Sequence, residues 1–344
     1  MGDTSSIKDS PSLEICSPGA ITIKPLHPTF GAEIIGVDFS VPLSEAIFRQ
    51  LHAAIVKYGV VVFRATVLND ESHIAFAKQF GELDDVTPYT AAGRKHRLKY
   101  NELFDVSNVD MDGSILDPDT PRGQANRGNG LFHVDSSFNP RRAGYSLLLA
   151  HELPPSGMGG HTGFADTRTA FENLPEDLKE ELVSEDYIGC HSIYHSRKLA
   201  APEFFADVDP ERYPMGRHRL VQRHEASGRM NLYIAAHLHH IEGLEPEKSK
   251  ALINRLLTAA EQPSNTIEIL WKTVGDLVIW DNTCTMHRAV GGPFLRKYRR
   301  DMRRATVHDS SSQAWGLNEH TDIRQGMPWK KRLRGLESTT NTFS

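Results

Sequence analysis

Two short stretches carry side chains of the types that hold transition metals. One is Leu131-Phe132-His133-Val134-Asp135; the other is Trp280-Asp281-Asn282-Thr283-Cys284-Thr285-Met286-His287. On an extended backbone side chains alternate between faces, so His133 and Asp135 fall on one side and can grip neighbouring positions of one ion. A second imidazole, from His287, would complete a 2-His-1-carboxylate facial triad, the donor set that leaves open positions on Fe(II). The competing reading is a histidine paired with an aspartate in a loop, with His287 as one ordinary member of the chain's 17 histidines.

A run of arginines follows. Tyr298-Arg299-Arg300-Asp301-Met302-Arg303-Arg304-Ala305-Thr306 leads into a predicted strand. Arg300, Met302 and Arg304 share one face of it, and Arg299 and Arg303 the other. Two inward guanidinium groups are costly unless they meet anions. A dicarboxylate would supply one through paired parallel hydrogen bonds; a solvated basic strand is the alternative. The remaining candidates have structural readings. His237, His239 and His240 cluster without a carboxylate at metal spacing. Cys284 reads as a small buried side chain, Trp280 as core packing, and Asp281 as the cap of a turn.

These residues need a scaffold. The chain has 344 residues, 39% hydrophobic, with 19 prolines, a composition of soluble globular enzymes rich in loops. A net charge of −5 argues against nucleic acid or an anionic membrane as partner. No apolar run reaches the roughly 20 residues of a membrane span. Cys16, Cys190 and Cys284 are odd in number and far apart, which argues against a disulfide framework and suits a reducing cytoplasm. Residues 1–20 and 316–344 read as polar tails, the second with a basic cluster at Lys330, Lys331, Arg332 and Arg334.

Between the tails, Ile21–Ile23 alternates like a strand. Ser44 opens a helix with Ile47, Leu51 and Ile55 at spacing four, closed by Tyr58-Gly59. Val60–Phe63 reads as a buried strand, and a second helix, capped near Asn69 or Asp70, stops at Gly81. Residues 84–130 are rich in Asp, Asn, Gly and Pro and read as a lid-like loop. Strands are expected at His133–Asp135, Tyr145–Ala150, Leu220-Val221, Leu232–Ile234, Ile267–Trp271, Leu277–Trp280 and Arg303–His308. Helices are expected at Asp166–Leu174, Pro175–Ser184 and from Pro246 through Ala260. Many short strands with helices gathered beside them predict an α+β domain over 21–315, built round a β-sandwich or jelly roll.

From about Ile21 to about Ala314 the chain resembles the TauD/TfdA group of Fe(II)- and 2-oxoglutarate-dependent dioxygenases. Leu26–Glu33 with Gly36-Val37-Asp38, Val62-Phe63-Arg64 and Phe76–Gly81 are similar to its N-terminal elements. His133–Phe138 resembles the metal-binding segment, Gly159–Asp166 the stretch whose threonine contacts 2-oxoglutarate, and Trp280–Ala289 the distal-histidine segment. The resemblance implies a double-stranded β-helix (jelly-roll) core flanked by helices. It implies His133, Asp135 and His287 as iron ligands, and Thr162 and Arg300 as the pair on the distal carboxylate of 2-oxoglutarate. Arg304 matches a second arginine near the iron that meets an anionic substrate group or the co-substrate. Asn129 falls where some relatives place an active-site asparagine.

Fe(II), 2-oxoglutarate and O2 are thus implied as cofactor and co-substrates. The implied reaction is oxidation of a small organic molecule, hydroxylation with ether cleavage where an ether oxygen adjoins, with release of succinate and CO2. Thr87 and Thr90 stand where taurine-using members carry histidine and tyrosine, which argues against taurine. The His287–Arg300 segment is slightly longer than in those members, with Gly291-Gly292-Pro293 inserted, so Arg300 rather than Arg299 rests on the strand-face argument. Ser192–Arg197 and His224–Arg229 are closer to the aryloxyalkanoate (TfdA-like) branch, and Arg304 argues for a carboxylate-bearing substrate. The alternatives are the same chemistry on a neutral heterocycle or natural-product intermediate, and a non-enzymatic jelly-roll binding protein. Asp135 speaks against halogenation, and nothing opposes a homo-oligomer. His133→Ala or Asp135→Ala is expected to abolish substrate-independent decarboxylation of 2-oxoglutarate, measured as succinate release.

Overall fold

Alternation along the central strands sorts apolar side chains onto two faces, and the layers follow from that sorting. The computed structural model describes residues 21–91 and 95–321. The expected tail at 1–20, Cys16 and the basic cluster at Lys330–Arg334 lie outside the described residues.

β1 (Thr22–Pro25) and β2 (Ala32–Ile35) pair antiparallel. α1 (Glu45–Tyr58) opens where the Ser44 hydroxyl accepts from the Ile47 N–H, and it ends at Gly59, whose φ of 70° suits glycine. β3 (Val60–Phe63) is buried along its whole length. α2 (Asp70–Ala77) begins with a reciprocal Asn69–Ser72 cap. Next come α3 (Thr87–Ala91), β4 (Leu103–Asp105), α4 (Pro121–Asn126), β5 (Ala143–Glu152), β6 (Thr162–Asp166), α5 (Thr167–Glu172) and α6 (Glu176–Glu185). They are followed by β7 (Ile188–His191), α7 (Ile193–Ala200), β8 (Gly216–Arg219), β9 (Val221–Arg223), β10 (Met230–Leu232) and β11 (Leu238–Ile241). The chain closes with α8 (Pro246–Ala260), β12 (Thr266–Ile269), β13 (Leu277–Asp281), β14 (Thr285–Ala289) and β15 (Asp301–His308).

Seven strands form the larger sheet in the order β1-β2-β3-β13-β5-β15-β4, and β12-β6-β14 form a smaller one. On the outer face of the larger sheet, Val61, Phe63, Leu147, Leu149, Leu277 and Ile279 pack against Leu51 and Ile55 of α1 and Ile74 of α2. Their neighbours Val60, Val62, Leu148, Ala150, Val278 and Trp280 face inward and meet Phe164 of β6 and Ile269 of β12. The two sheets therefore face each other. The far side of the smaller sheet offers Ala165 and Met286 to a third cluster built with α5, α6 and α8. The result is a mixed α/β architecture of helices, large sheet, small sheet and helices.

Five expectations need correction. The strands expected at Leu232–Ile234 and Ile267–Trp271 end at Leu232 and Ile269, and the one expected at Leu220-Val221 begins at Val221. His133–Asp135 is not a strand: His133 makes a single bridge to His287, and Ser136 turns the chain with φ of 57°. Residues 84–130 hold α3, β4 and α4 rather than loop alone. β4 pairs with β15, Phe104 opposite Arg304, and Leu103 and Val109 are fully buried. Isolated apolar residues among polar ones concealed these elements, because a short edge strand shows too few alternations to be read. Ile279, fully buried between β3 and β5, is a test of this core. Ile279→Ala is expected to lower stability by about 2–5 kcal/mol, read as a reduced urea midpoint.

Candidate active site

Backbone pairing, not side-chain contact, brings the two metal-type stretches together. The His133 N–H donates to the His287 carbonyl at 2.9 Å, and the His287 N–H donates to the His133 carbonyl at 2.8 Å. Phe132, Val134 and Met286 are buried in the third cluster, beyond the smaller sheet, so His133, Asp135 and His287 turn the opposite way. The alternation argument thus holds locally although no regular strand forms. Each of the three offers a ligand atom within 4.8 Å of the other two, and the imidazole centroids of His133 and His287 lie 4.3 Å apart.

The protonation states suit a cation. The Leu131 carbonyl, which can only accept, lies 2.7 Å from His133 Nδ1 and leaves Nε2 as the lone-pair nitrogen. Burial pushes the His133 pKa down to about 4 and that of His287 well below its ordinary value, so both rings are neutral at neutral pH. Burial alone would raise the Asp135 carboxyl, but the Arg304 guanidinium beside it holds it below the usual carboxylate value. Two neutral imidazoles and a carboxylate, buried and convergent, fit a divalent transition metal.

Asp135 is held from three sides. Its Oδ2 accepts from the Ser146 hydroxyl at 2.7 Å and its Oδ1 from Arg304 Nη1 at 2.6 Å. Its N–H donates to Asn282 Oδ1 at 3.0 Å. Asn282, fully buried, also accepts from Trp280 Nε1 and donates to the Gly144 carbonyl and the Ser146 hydroxyl. Trp280 in turn lies against His287, ring centroids 4.6 Å apart. Outer partners of this kind orient metal ligands. Sequence reasoning passed over Ser146 and Asn282, although Asn282 stood inside the quoted stretch.

A second polar group lies beside the first. Arg300 is buried, its Nε donates to the Gly160 carbonyl at 3.0 Å, and it forms no ion pair among the described residues. Burial lowers its pKa to about 10, still charged at neutral pH. Its guanidinium carbon stands 6.0 Å from the Trp271 ring, and Trp271 Nε1 donates to Thr162 Oγ1 at 3.1 Å. Arg299 and Arg303 turn outward as expected, Arg299 to Glu152 and Arg303 to Asp70. Asn129 Oδ1 accepts from Arg197 Nη2 at 3.0 Å.

Each predicted residue, Asn129, Thr162, Arg300 and Arg304 with the three donors, lines one cavity of about 550 Å³. Phe104, Phe138, Phe294 and Leu295 form apolar wall. His237 lines it too, its ring 5.5 Å from that of His133 and its Nδ1 2.8 Å from the Ser196 hydroxyl. The expected cluster is therefore split: His239 and His240 lie outside the lining, while His237 borders the site. Trp271 and His237 carried no signal that separated them from core aromatics.

A 2-His-1-carboxylate cluster between two facing sheets defines a class, and the comparison with family models agrees. Residues 22–306 match the model described as "Taurine catabolism dioxygenase TauD, TfdA family", and the chain belongs to that family. It is 38% identical over 282 residues to the alpha-ketoglutarate-dependent 2,4-dichlorophenoxyacetate dioxygenase of Burkholderia sp. (strain RASC), spanning 82% of this chain and 92% of that protein. It is 35% identical over 286 residues to the (S)-phenoxypropionate/alpha-ketoglutarate-dioxygenase of Sphingobium herbicidovorans, spanning 81% and 92%. Among solved structures it is similar to AAD-2 in complex with Mn(II) and N-oxalylglycine, with TM-score 0.77, 36% identity, and 85% of this chain and 98% of that one covered. No helix among the described residues is long and apolar enough to cross a membrane.

Asn282→Ala would leave the Asp135 N–H and the Trp280 indole N–H without this partner in a buried place, while the Gly144 carbonyl keeps the backbone N–H of residue 282. At about 1–3 kcal/mol for each unsatisfied group, a loss of about 2 kcal/mol or more is expected in chemical denaturation.

Proposed function

We propose that this protein is an Fe(II)- and 2-oxoglutarate-dependent dioxygenase that hydroxylates a small carboxylate-bearing organic molecule of the aryloxyalkanoate type, with succinate and CO2 as by-products. In this reading its facing sheets are a double-stranded β-helix, residues 21–315 work as one domain, and the enzyme is cytoplasmic. The observation that carries it is the buried Arg300, a guanidinium without a carboxylate partner among the described residues, in the cavity that also holds three metal-type donors. An uncompensated buried cation calls for an anionic ligand.

His133, Asp135 and His287 would hold the iron. When bound, Fe(II) with 2-oxoglutarate and O2 supplies the oxidative decarboxylation that yields an oxidant for a substrate C–H bond. Arg300 binds the distal carboxylate of 2-oxoglutarate through parallel hydrogen bonds. Thr162 Oγ1 already accepts from Trp271, so its own hydrogen is free to donate to that carboxylate. Trp271 therefore sets both members of the pair, by its N–H to Thr162 and its ring beside Arg300. Arg304 stands next to Asp135 and faces the cavity, a place suited to an anionic group of the substrate or co-substrate. Asn129, oriented by Arg197, offers its amide to the substrate. Phe104, Phe138 and Phe294 keep water from the reacting centre and accept an aryl ring. Residues 84–130 supply part of that wall through Tyr89 and Phe104, and serve as the lid.

Succinate release over a library of small acids tests the function. Aryloxyacetates or aryloxypropionates should raise it above the uncoupled background; coupling by carboxylate-free compounds alone would refute the anionic substrate. Chelation of iron should abolish turnover and added Fe(II) restore it. Arg300→Ala should raise the KM for 2-oxoglutarate by about 100-fold or more, since a charged bidentate contact is lost. Trp271→Phe keeps an aromatic ring and removes one hydrogen bond, and a rise of roughly two- to tenfold is expected.

A further inference from the structure

A second set of metal-type donors converges at the turn between β13 and β14. His224, Asp281 and Cys284 each offer a ligand atom within 4.8 Å of the other two, and all three are buried. Neighbours orient the two polar donors. The Ser227 hydroxyl lies 2.6 Å from His224 Nδ1, which directs Nε2 towards Asp281 Oδ2 at 3.0 Å. The Thr283 N–H and hydroxyl both donate to Asp281 Oδ1, at 2.8 and 2.6 Å, and leave Oδ2 to face the cluster. Second partners that fix a ring and one carboxylate oxygen are characteristic of metal ligands.

Access and charge point the same way. His224 and Asp281 line a separate cavity of about 410 Å³, together with Arg142, Gln222 and Asn231. This offers an entry path and room for a solvent ligand. Burial alone would lower the His224 pKa, but Cys284 and Asp281 beside it push it up to about 10, so without an ion the ring shares its proton with these two groups and a bound ion takes that proton's place. A thiolate, a carboxylate and a neutral imidazole sum with a divalent cation to zero net charge.

We propose that His224, Asp281 and Cys284 form a second metal site, separate from the His133–Asp135–His287 cluster, that takes a thiophilic divalent ion of the zinc class. The thiolate disfavours magnesium and calcium, and three protein donors with one open position match a tetrahedral ion. The ion ties the β9–β10 hairpin to the turn that carries Asn282 and leads into His287.

Co(II) is the probe, because thiolate-to-cobalt charge transfer absorbs in the near ultraviolet and the other cluster contains no sulfur. The full chain, stripped with chelator and kept reduced and anaerobic, is titrated with Co(II). One bound equivalent is expected to bring a near-ultraviolet band, and a second only weak visible bands. Cys284→Ser and Cys284→Ala should lose the band and one equivalent, with the fold checked by circular dichroism; Asp135→Ala should keep the band. Absence of the band in the unmodified protein at saturating Co(II) overturns the proposal. So does its survival in both Cys284 variants, which would place its source at Cys16 or Cys190. Should those variants fail to fold, His224→Gln decides: a tenfold or greater loss of Co(II) affinity in the banded site is expected, and unchanged affinity overturns the assignment.

Discussion

The reciprocal pair of backbone hydrogen bonds between His133 and His287 is the constraint on which the candidate active site depends. These residues are far apart in the chain, and neither segment alone defines a site. One bridge sets both side chains on the same side, because Phe132, Val134 and Met286 are anchored in the apolar cluster beyond the smaller sheet. Imidazole placement is thereby tied to the hydrophobic core. A shift of register by one residue would turn the donors into the core and the apolar residues into the cavity.

Charge in the interior follows a simple division. Two buried guanidinium groups have acids, Arg142 with Asp309 and Arg168 with Asp166, and the partly buried Arg97 bridges Asp105 and Asp301. Arg304 meets Asp135, itself a metal-type donor. Among the described residues Arg300 meets a carbonyl and an aromatic ring but no acid. Structural pairs thus close on themselves, whereas Arg300, which faces the cavity without an acid among the described residues, is suited to an external carboxylate. Desolvation makes the same point from the other side, since it keeps both imidazoles neutral while leaving Arg300 charged.

Much of the frame was legible because it rests on neighbours in sequence. Ser44 and Asn69 cap the helices they were expected to cap, and Gly59 closes α1. Val60–Phe63 is the buried strand its composition described. Arg300 and Arg304 face the cavity while Arg299 and Arg303 turn away, as a period of two requires. Short elements without such periodicity were not legible. β4 has three residues, and its place beside β15 is set by the sheet rather than by its own propensity.

What the sequence determined by itself is therefore which residues are candidates for the site: His133, Asp135, His287, Thr162, Arg300 and Arg304, each singled out by residue type, local alternation or family resemblance. Tertiary structure alone decided what supports them. Asn282 holding Asp135, Trp271 joining Thr162 to Arg300, and His237 bordering His133 are contacts between segments distant in the chain. It also decided that His133–Asp135 is a bridge and not a strand. Alternation and capping act over a few residues and leave a mark in the chain. Packing of remote segments depends on where two sheets bring them, and no local pattern encodes that.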